Sequence, residues 1–184
     1  MKKVLFGGLL IILAGLTYAF TSASAASSQT APEALEELKW YSWEEAVEAN
    51  KQEPKKLFVD VYTDWCGWCK KMDKSTFVDP EVSAYLRENF YPVKLNAEQR
   101  EAIEFDGTTF NFVESGRRGV HELAYALLDG RLGYPAFVYL DEEMKRITIS
   151  PGYKTADVIM KELRYIGGDH YKDQTFDEYT KNSK

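Results

Sequence analysis

The sequence predicts an α/β fold, a central mixed β-sheet flanked by helices. Three observations carry that prediction. Strand-like apolar runs alternate with helix-like segments from Trp40 onward. Residues 56–62 (KLFVDVY) have the near-continuous hydrophobicity of a central strand buried on both faces. Two further strand signals, 135–141 (PAFVYLD) and 145–150 (KRITIS), follow each other closely and lead into one last helix.

The elements follow in order. Ser42-x-x-Glu45 is a capping box that opens a helix running to about Lys51. After the strand at 56–62, a helix is expected from Cys66 to about Phe77. Asp79 as cap with Pro80 at the first helical position starts another, with Val82, Tyr85, Leu86 and Phe90 on one face. Residues 91–96 (YPVKLN) read as a short strand, and 103–113 alternate around Asp106-Gly107 as in a hairpin. Residues 120–128 have helical spacing and stop at Gly130. Thr155 caps the final helix, with Val158, Ile159, Leu163 and Ile166 expected inward and Gly167-Gly168 at its end. Phe176 and Tyr179 in the polar tail suggest a short docked turn.

The first residues stand apart from this fold. Lys2 and Lys3 precede an apolar run of 17 residues, 4–20, and Ala23-Ser24-Ala25 offers a small-residue cleavage pattern. Residues 1–25 are therefore expected to be a signal peptide cleaved near Ala25, with 26–38 as linker and 39–184 as the domain. The alternative is a retained N-terminal membrane anchor, for which the run is short. The full chain of 184 residues has a formal charge of −6; residues 1–25 carry two lysines and no acid, so the remainder stands at −8. Such a chain lacks the basic footprint of a nucleic-acid binder.

Only two cysteines are present, Cys66 and Cys69. Three positions apart, they cannot staple distant segments, and a bridge closing so short a loop contributes little chain-entropy stabilisation. The pair points to reactivity instead. A strand turning into a helix at Cys66 offers unpaired backbone N–H groups that favour a thiolate, and Cys69 lies one turn on, within reach of it. Cys66 is accordingly expected to be the more exposed, attacking thiol and Cys69 the protected, resolving one. A zinc half-site is the competing reading, with only His121 and His170 left as further ligands of the usual kind. Both histidines are expected at surface or structural positions.

Trp65-Cys66-Gly67-Trp68-Cys69-Lys70 after an apolar strand resembles the thioredoxin superfamily. The stretch KLFVDVYTDWCGWCKKMDKSTFVDPEV is similar to the periplasmic C-terminal domain of the electron transporter DsbD and to related exported thioredoxin-like proteins. The resemblance implies a thioredoxin-like fold with an insertion at about 97–130, between the third helix–strand unit and the cis-proline strand. It implies a redox-active Cys66–Cys69 disulfide and no other cofactor or metal. Asp60 takes the place of the family's buried acid, able to accept the Cys69 proton, and Lys94 that of its partner lysine; a purely structural ion pair is the alternative. Pro135 matches the family's cis-proline, which leaves the backbone of the preceding residue, Tyr134, free for an extended substrate. Trp65, Trp68 and Tyr134 would form an apolar rim, and Gly152 matches a glycine kept where a side chain would obstruct docking. The implied activity is thiol–disulfide exchange outside the cytoplasm, as a periplasmic reductase or electron relay. Its partners would be disulfide-containing exported proteins and a membrane electron donor. Gly67-Trp68 lacks the histidine of strongly oxidising relatives, which favours reduction. An oxidase or isomerase, or a thioredoxin-fold binding module for metal delivery or complex assembly, are the alternatives. The insertion could be a substrate-facing lid or a packed decoration.

Overall fold

The computed structural model describes residues 37–115 and 118–182. The expected signal peptide or anchor and most of the linker lie outside the described residues. No helix among the described residues is long and apolar enough to cross a membrane.

A four-stranded mixed sheet organises the domain. Its strands are β1 (Lys56–Tyr62), β2 (Phe90–Asn96), β7 (Ala136–Leu140) and β8 (Arg146–Pro151), in the order β2-β1-β7-β8. β1 runs parallel to β2 and antiparallel to β7, and β7 runs antiparallel to β8. β1 is central, which is why its six residues from Lys56 to Val61 are all buried. Alternate side chains leave opposite faces of a strand, so Leu57, Val59 and Val61 enter one core while Phe58 enters the other. Asp60 shares the parity of Phe58. Its face is covered by α2 (Gly67–Lys74), α3 (Pro80–Asn89) and α5 (Ala156–Gly167), through Met72, Leu86, Ile159 and Leu163. The opposite face is covered by α1 (Trp43–Gln52) and the insertion.

The caps behave largely as the sequence predicts. Ser42 and Glu45 form the reciprocal capping box, and the Asp79 carboxylate accepts from Glu81 and Val82 N–H. Thr155 occupies the N-cap of α5, but its hydroxyl donates to Asp157 rather than capping the backbone. α5 also turns its buried face one step from the expected one. Met160 joins Ile159, Leu163 and Ile166 inside, and Val158 is exposed. Gly167 lets α5 approach α3, because a Cβ there would meet the Tyr85 hydroxyl at 2.9 Å.

Other expectations need correction. α2 ends at Lys74 rather than about Phe77; Ser75 leaves the helix and Phe77 turns back, its N–H donating to the Met72 carbonyl. Leu38, assigned to the polar linker, is buried in the core beside α2, α3 and α5. The tail forms a helix, α6 (Phe176–Asn182), docked where Phe176 meets Tyr165 at 5.3 Å.

The insertion holds two hairpins. The expected one pairs β3 (Ile103–Phe105) with β4 (Thr108–Phe110) around Asp106 and Gly107, both at positive φ as a type I′ turn requires. The second pairs β5 (Phe112–Ser115) with β6 (Arg118–His121). Val120 therefore lies in a strand opposite Val113, and the helix α4 (Glu122–Leu127) starts only after it. His121 caps α4: its Nδ1 accepts from Leu123 N–H and its Nε2 faces the Glu101 carbonyl. Fully buried, it is structural, and burial lowers its pKa. Ile103, Leu123, Ala124 and Leu128 enter the core with Trp43 and Ala46 of α1. The insertion is thus part of the hydrophobic core.

Candidate active site

The site is built where the end of β1 turns into α2. Cys66 and Cys69 are joined by a disulfide. Cys66 is the N-cap of α2, and its sulfur accepts from the Cys69 backbone N–H at 3.1 Å. That donor, together with the positive end of the helix, is the environment that lowers a thiol pKa. The expected contrast in exposure is absent from the disulfide-bonded state: Cys66 is 4% and Cys69 2% exposed. A bond between the two sulfurs draws both into the same contact with the protein. The neighbouring indoles of Trp65 and Trp68 are the parts that face solvent.

Beneath α2 lies the charge cluster. Asp60 and Lys94 are direct partners in the β1–β2 register, and Lys94 Nζ meets Asp60 Oδ2 at 2.7 Å. The same ammonium donates to Asp73 of α2. Cys69 and Asp73 are four residues apart and share one helix face, so Lys94 ties Asp60 to the face of α2 that carries Cys69. Asp60 is fully buried, and its Oδ1 has no hydrogen-bond partner among the described residues. Burial pushes its pKa up to about 6 against the opposing pull of Lys94, with Asp73 adding to the rise. For Lys94, burial alone would lower the pKa, but Asp60 and Asp73 outweigh it and the net shift is upward. Trp40, Tyr62 and Phe77 present their rings to the ammonium at 4.7, 5.0 and 5.4 Å.

The Tyr134–Pro135 peptide is cis. No hydrogen bond to the Tyr134 backbone is seen among the described residues, whereas the Pro135 carbonyl accepts from Gly152 N–H at 2.8 Å. Gly152 has φ +90°, and a Cβ there would meet nothing in the chain. Backbone conformation, rather than crowding, calls for glycine at this place. The aromatic rim forms two separate walls. Trp65 packs edge-on to Tyr134 with ring centres 6.0 Å apart, while Trp68 packs on Tyr153 at 5.0 Å.

Of the expected site residues, the structure joins Cys66 to Cys69, pairs Lys94 with Asp60, and packs Trp65 against Tyr134, which precedes Pro135, while Trp68 packs separately on Tyr153. It adds residues that sequence reasoning missed. Asp73 could have been found from its i+4 spacing to Cys69. Glu98 accepts from the Trp65 indole N–H at 2.9 Å, and the Arg118 guanidinium lies 4.1 Å from the centre of the Trp65 ring. Both come from the insertion and carry no local signal. Among the described residues, no group of three or more His, Cys, Asp and Glu could hold a metal ion.

A cysteine pair at a helix N-terminus, set on this mixed sheet with a cis-proline leading into β7, defines a thioredoxin-fold dithiol protein. More narrowly, the chain belongs to the family Thioredox_DsbH, described as a protein of unknown function, DUF255, whose model matches residues 22–157. The rat protein spermatogenesis-associated protein 20 is 33% identical over 81 residues, 44% of this chain. The match spans only 10% of that relative's own length. The disulfide bond reductase DsbH of Chlamydia pneumoniae is 28% identical over 122 residues, covering 65% of this chain and 66% of the relative. The solved structure titled DsbH oxidoreductase shares the fold, with a TM-score of 0.52 and 22% identity over 75% of this chain and 90% of that one.

Proposed function

We propose that this chain is a thiol–disulfide oxidoreductase working outside the cytoplasm, as a reductase or electron relay for disulfide-containing exported proteins. One observation carries the reading: the Cys66–Cys69 disulfide sits at the N-terminus of α2, whose Asp73 shares Lys94 with the buried carboxylate of Asp60. The name of the Chlamydia pneumoniae relative, a disulfide bond reductase, supports it. The leader predicted in residues 1–25 supports export.

In the reduced state the Cys66 thiolate attacks a client disulfide. A Cys66–client bond forms, the client S–S bond breaks, and the departing client sulfur takes up a proton. Asp60 then accepts the Cys69 proton, directly or through a water. The Cys69 thiolate attacks the Cys66 sulfur, the second client sulfur leaves as a thiol, and the Cys66–Cys69 disulfide closes. Two electrons pass from the dithiol to the client. A dithiol donor at the membrane returns them. A carboxyl with its pKa near 6 suits this work, since it is largely ionised at neutral pH yet a competent proton acceptor.

The test is single turnover of the pre-reduced protein on a protein disulfide, with client thiols and the closed Cys66–Cys69 bridge quantified together. One client disulfide reduced per bridge formed is expected, with Cys69→Ser accumulating the mixed disulfide. The potential of the pair should fall nearer thioredoxin's, about −270 mV, than the about −120 mV of a strong oxidant. Tight metal uptake by the dithiol without client reduction would establish the binding-module reading instead.

A further inference from the structure

The active-site helix α2 carries Lys70, Lys71 and Lys74, all exposed and in no ion pair among the described residues. The described lysines Lys51, Lys55, Lys56, Lys94, Lys145, Lys154 and Lys172 each meet a carboxylate. Lys39, Lys161 and Lys181 are also in no ion pair among the described residues, so α2 carries three of six such lysines, on the element that bears the dithiol.

Lys71 is the one fixed at the rim. Its ammonium lies 5.0 Å from the centre of the Trp68 ring and 5.0 Å from that of Tyr153. Trp68 lies between Cys66 and Cys69, and Tyr153 follows Gly152, whose N–H meets the Pro135 carbonyl. Lys71 thus stands on the wall between the disulfide and the cis-proline strand. The facing wall, Trp65 and Tyr134, also has a cation, Arg118, but Glu98 neutralises it at 3.9 Å. One wall is compensated and the other is not. Asp64, the acid just before Trp65, is engaged by the Asn96 amide at 3.3 Å.

We infer that the dithiol site selects client segments bearing Asp or Glu beside the reducible cysteine, and that Lys71, held over Trp68 and Tyr153, is the specificity-determining residue. This rests on the oxidoreductase reading above. A segment crossing the groove would place a flanking side chain on the Trp68 wall, where a carboxylate meets an exposed ammonium held in no ion pair among the described residues. Such complementarity acts mainly on association and is screened by salt. A role limited to offsetting the dipole of α2, whose last turn holds Lys71 and Lys74, would show in stability and give no client preference.

The experiment uses the reduced full domain with three disulfide peptides that differ only in the flanking residue, Asp, Asn or Lys. Stopped-flow rates should favour Asp over Lys by about tenfold at about 20 mM salt and converge at about 0.5 M. Lys71→Gln should cut that ratio at least about threefold, Lys71→Arg should restore it, and Lys161→Gln on α5 should leave it unchanged. Equal Asp and Lys rates in the parent, or a ratio untouched by Lys71→Gln, overturns the inference. Failure to reduce even the Asn peptide overturns the oxidoreductase reading alone. The charge preference is then read from binding of cysteine-free Asp and Lys peptides to the oxidised protein, where equal affinities overturn it.

Discussion

Two lysines in the central sheet each bridge a pair of carboxylates, and their surroundings set them to different tasks. Lys56, at the start of β1, meets Glu142 at 2.7 Å and Asp169 at 2.9 Å, acids whose side chains are 40% and 45% exposed. Lys94 on β2 meets Asp60 and Asp73, and the Asp60 side chain is only 1% exposed. For Glu142 and Asp169 burial works upward on the pKa, but Lys56, joined at Asp169 by Lys172, outweighs it and both acids are lowered. For Asp60 the balance reverses: desolvation wins and the pKa rises to about 6. A lysine between two acids lowers their pKa where water reaches them and fails to do so for the acid that is fully buried.

The largest expected effect is on the pH dependence of stability. Asp60 binds its proton more tightly folded than unfolded. Its contribution to stability is therefore fully present below about pH 4 and lost as pH rises through about 6. The shift from 3.8 to about 6 corresponds to about 3 kcal/mol. Urea unfolding of Asp60→Asn should match the parent near pH 4 and exceed it by up to about 3 kcal/mol at pH 7. A constant difference at both pH values would remove Asp60 from the account.

Next in size is the contrast between the lysines. Lys94→Met strands a buried carboxyl and should cost about 2 kcal/mol at pH 7, whereas Lys56→Met leaves acids half in water and should cost about 1 kcal/mol. Equal losses in urea melts would erase the distinction. The smallest effect is at Glu142. Its lowered pKa gives stability that is present above the unfolded value of about 4.5 and lost as pH falls below it. Discounted for exposure, Glu142→Gln should cost under about 1 kcal/mol at pH 7 and nothing near pH 3, the opposite trend to Asp60. A stability difference that grows toward acid would contradict the assignment.

Much of this was legible before the coordinates. An apolar strand ending in Cys66-Gly67-Trp68-Cys69, a capping box and an Asp-Gly turn are local signals, each fixed by backbone chemistry over a few residues. Asp60, Lys94 and Pro135 came from the resemblance; the structure pairs the first two and makes the Tyr134–Pro135 peptide cis. What escaped depends on distant partners. Val120 has helical spacing, yet pairing with Val113 holds it in a strand. Leu38 sits in a polar stretch, and only the core formed by α2, α3 and α5 makes it a buried residue. The insertion, left open as lid or decoration, proves to bury Ile103 and to set Phe105 against Trp43 at 5.1 Å. Removing residues 103–113 would therefore unsettle the core rather than only alter client choice. Lys71 and Arg118 reveal themselves only through the rings they cover.

In the proposed cycle, Asp60 takes the Cys69 proton when the mixed disulfide resolves. The direct measurement is stopped-flow kinetics of that second step as a function of pH, in the parent and in Asp60→Asn. The parent rate should rise through an inflection near pH 6, and the variant should lose the inflection and run at least about tenfold slower at pH 7, with attack by Cys66 little changed. Identical second-step rates and pH profiles in the two proteins would contradict the claim and leave Asp60 and Lys94 a structural ion pair.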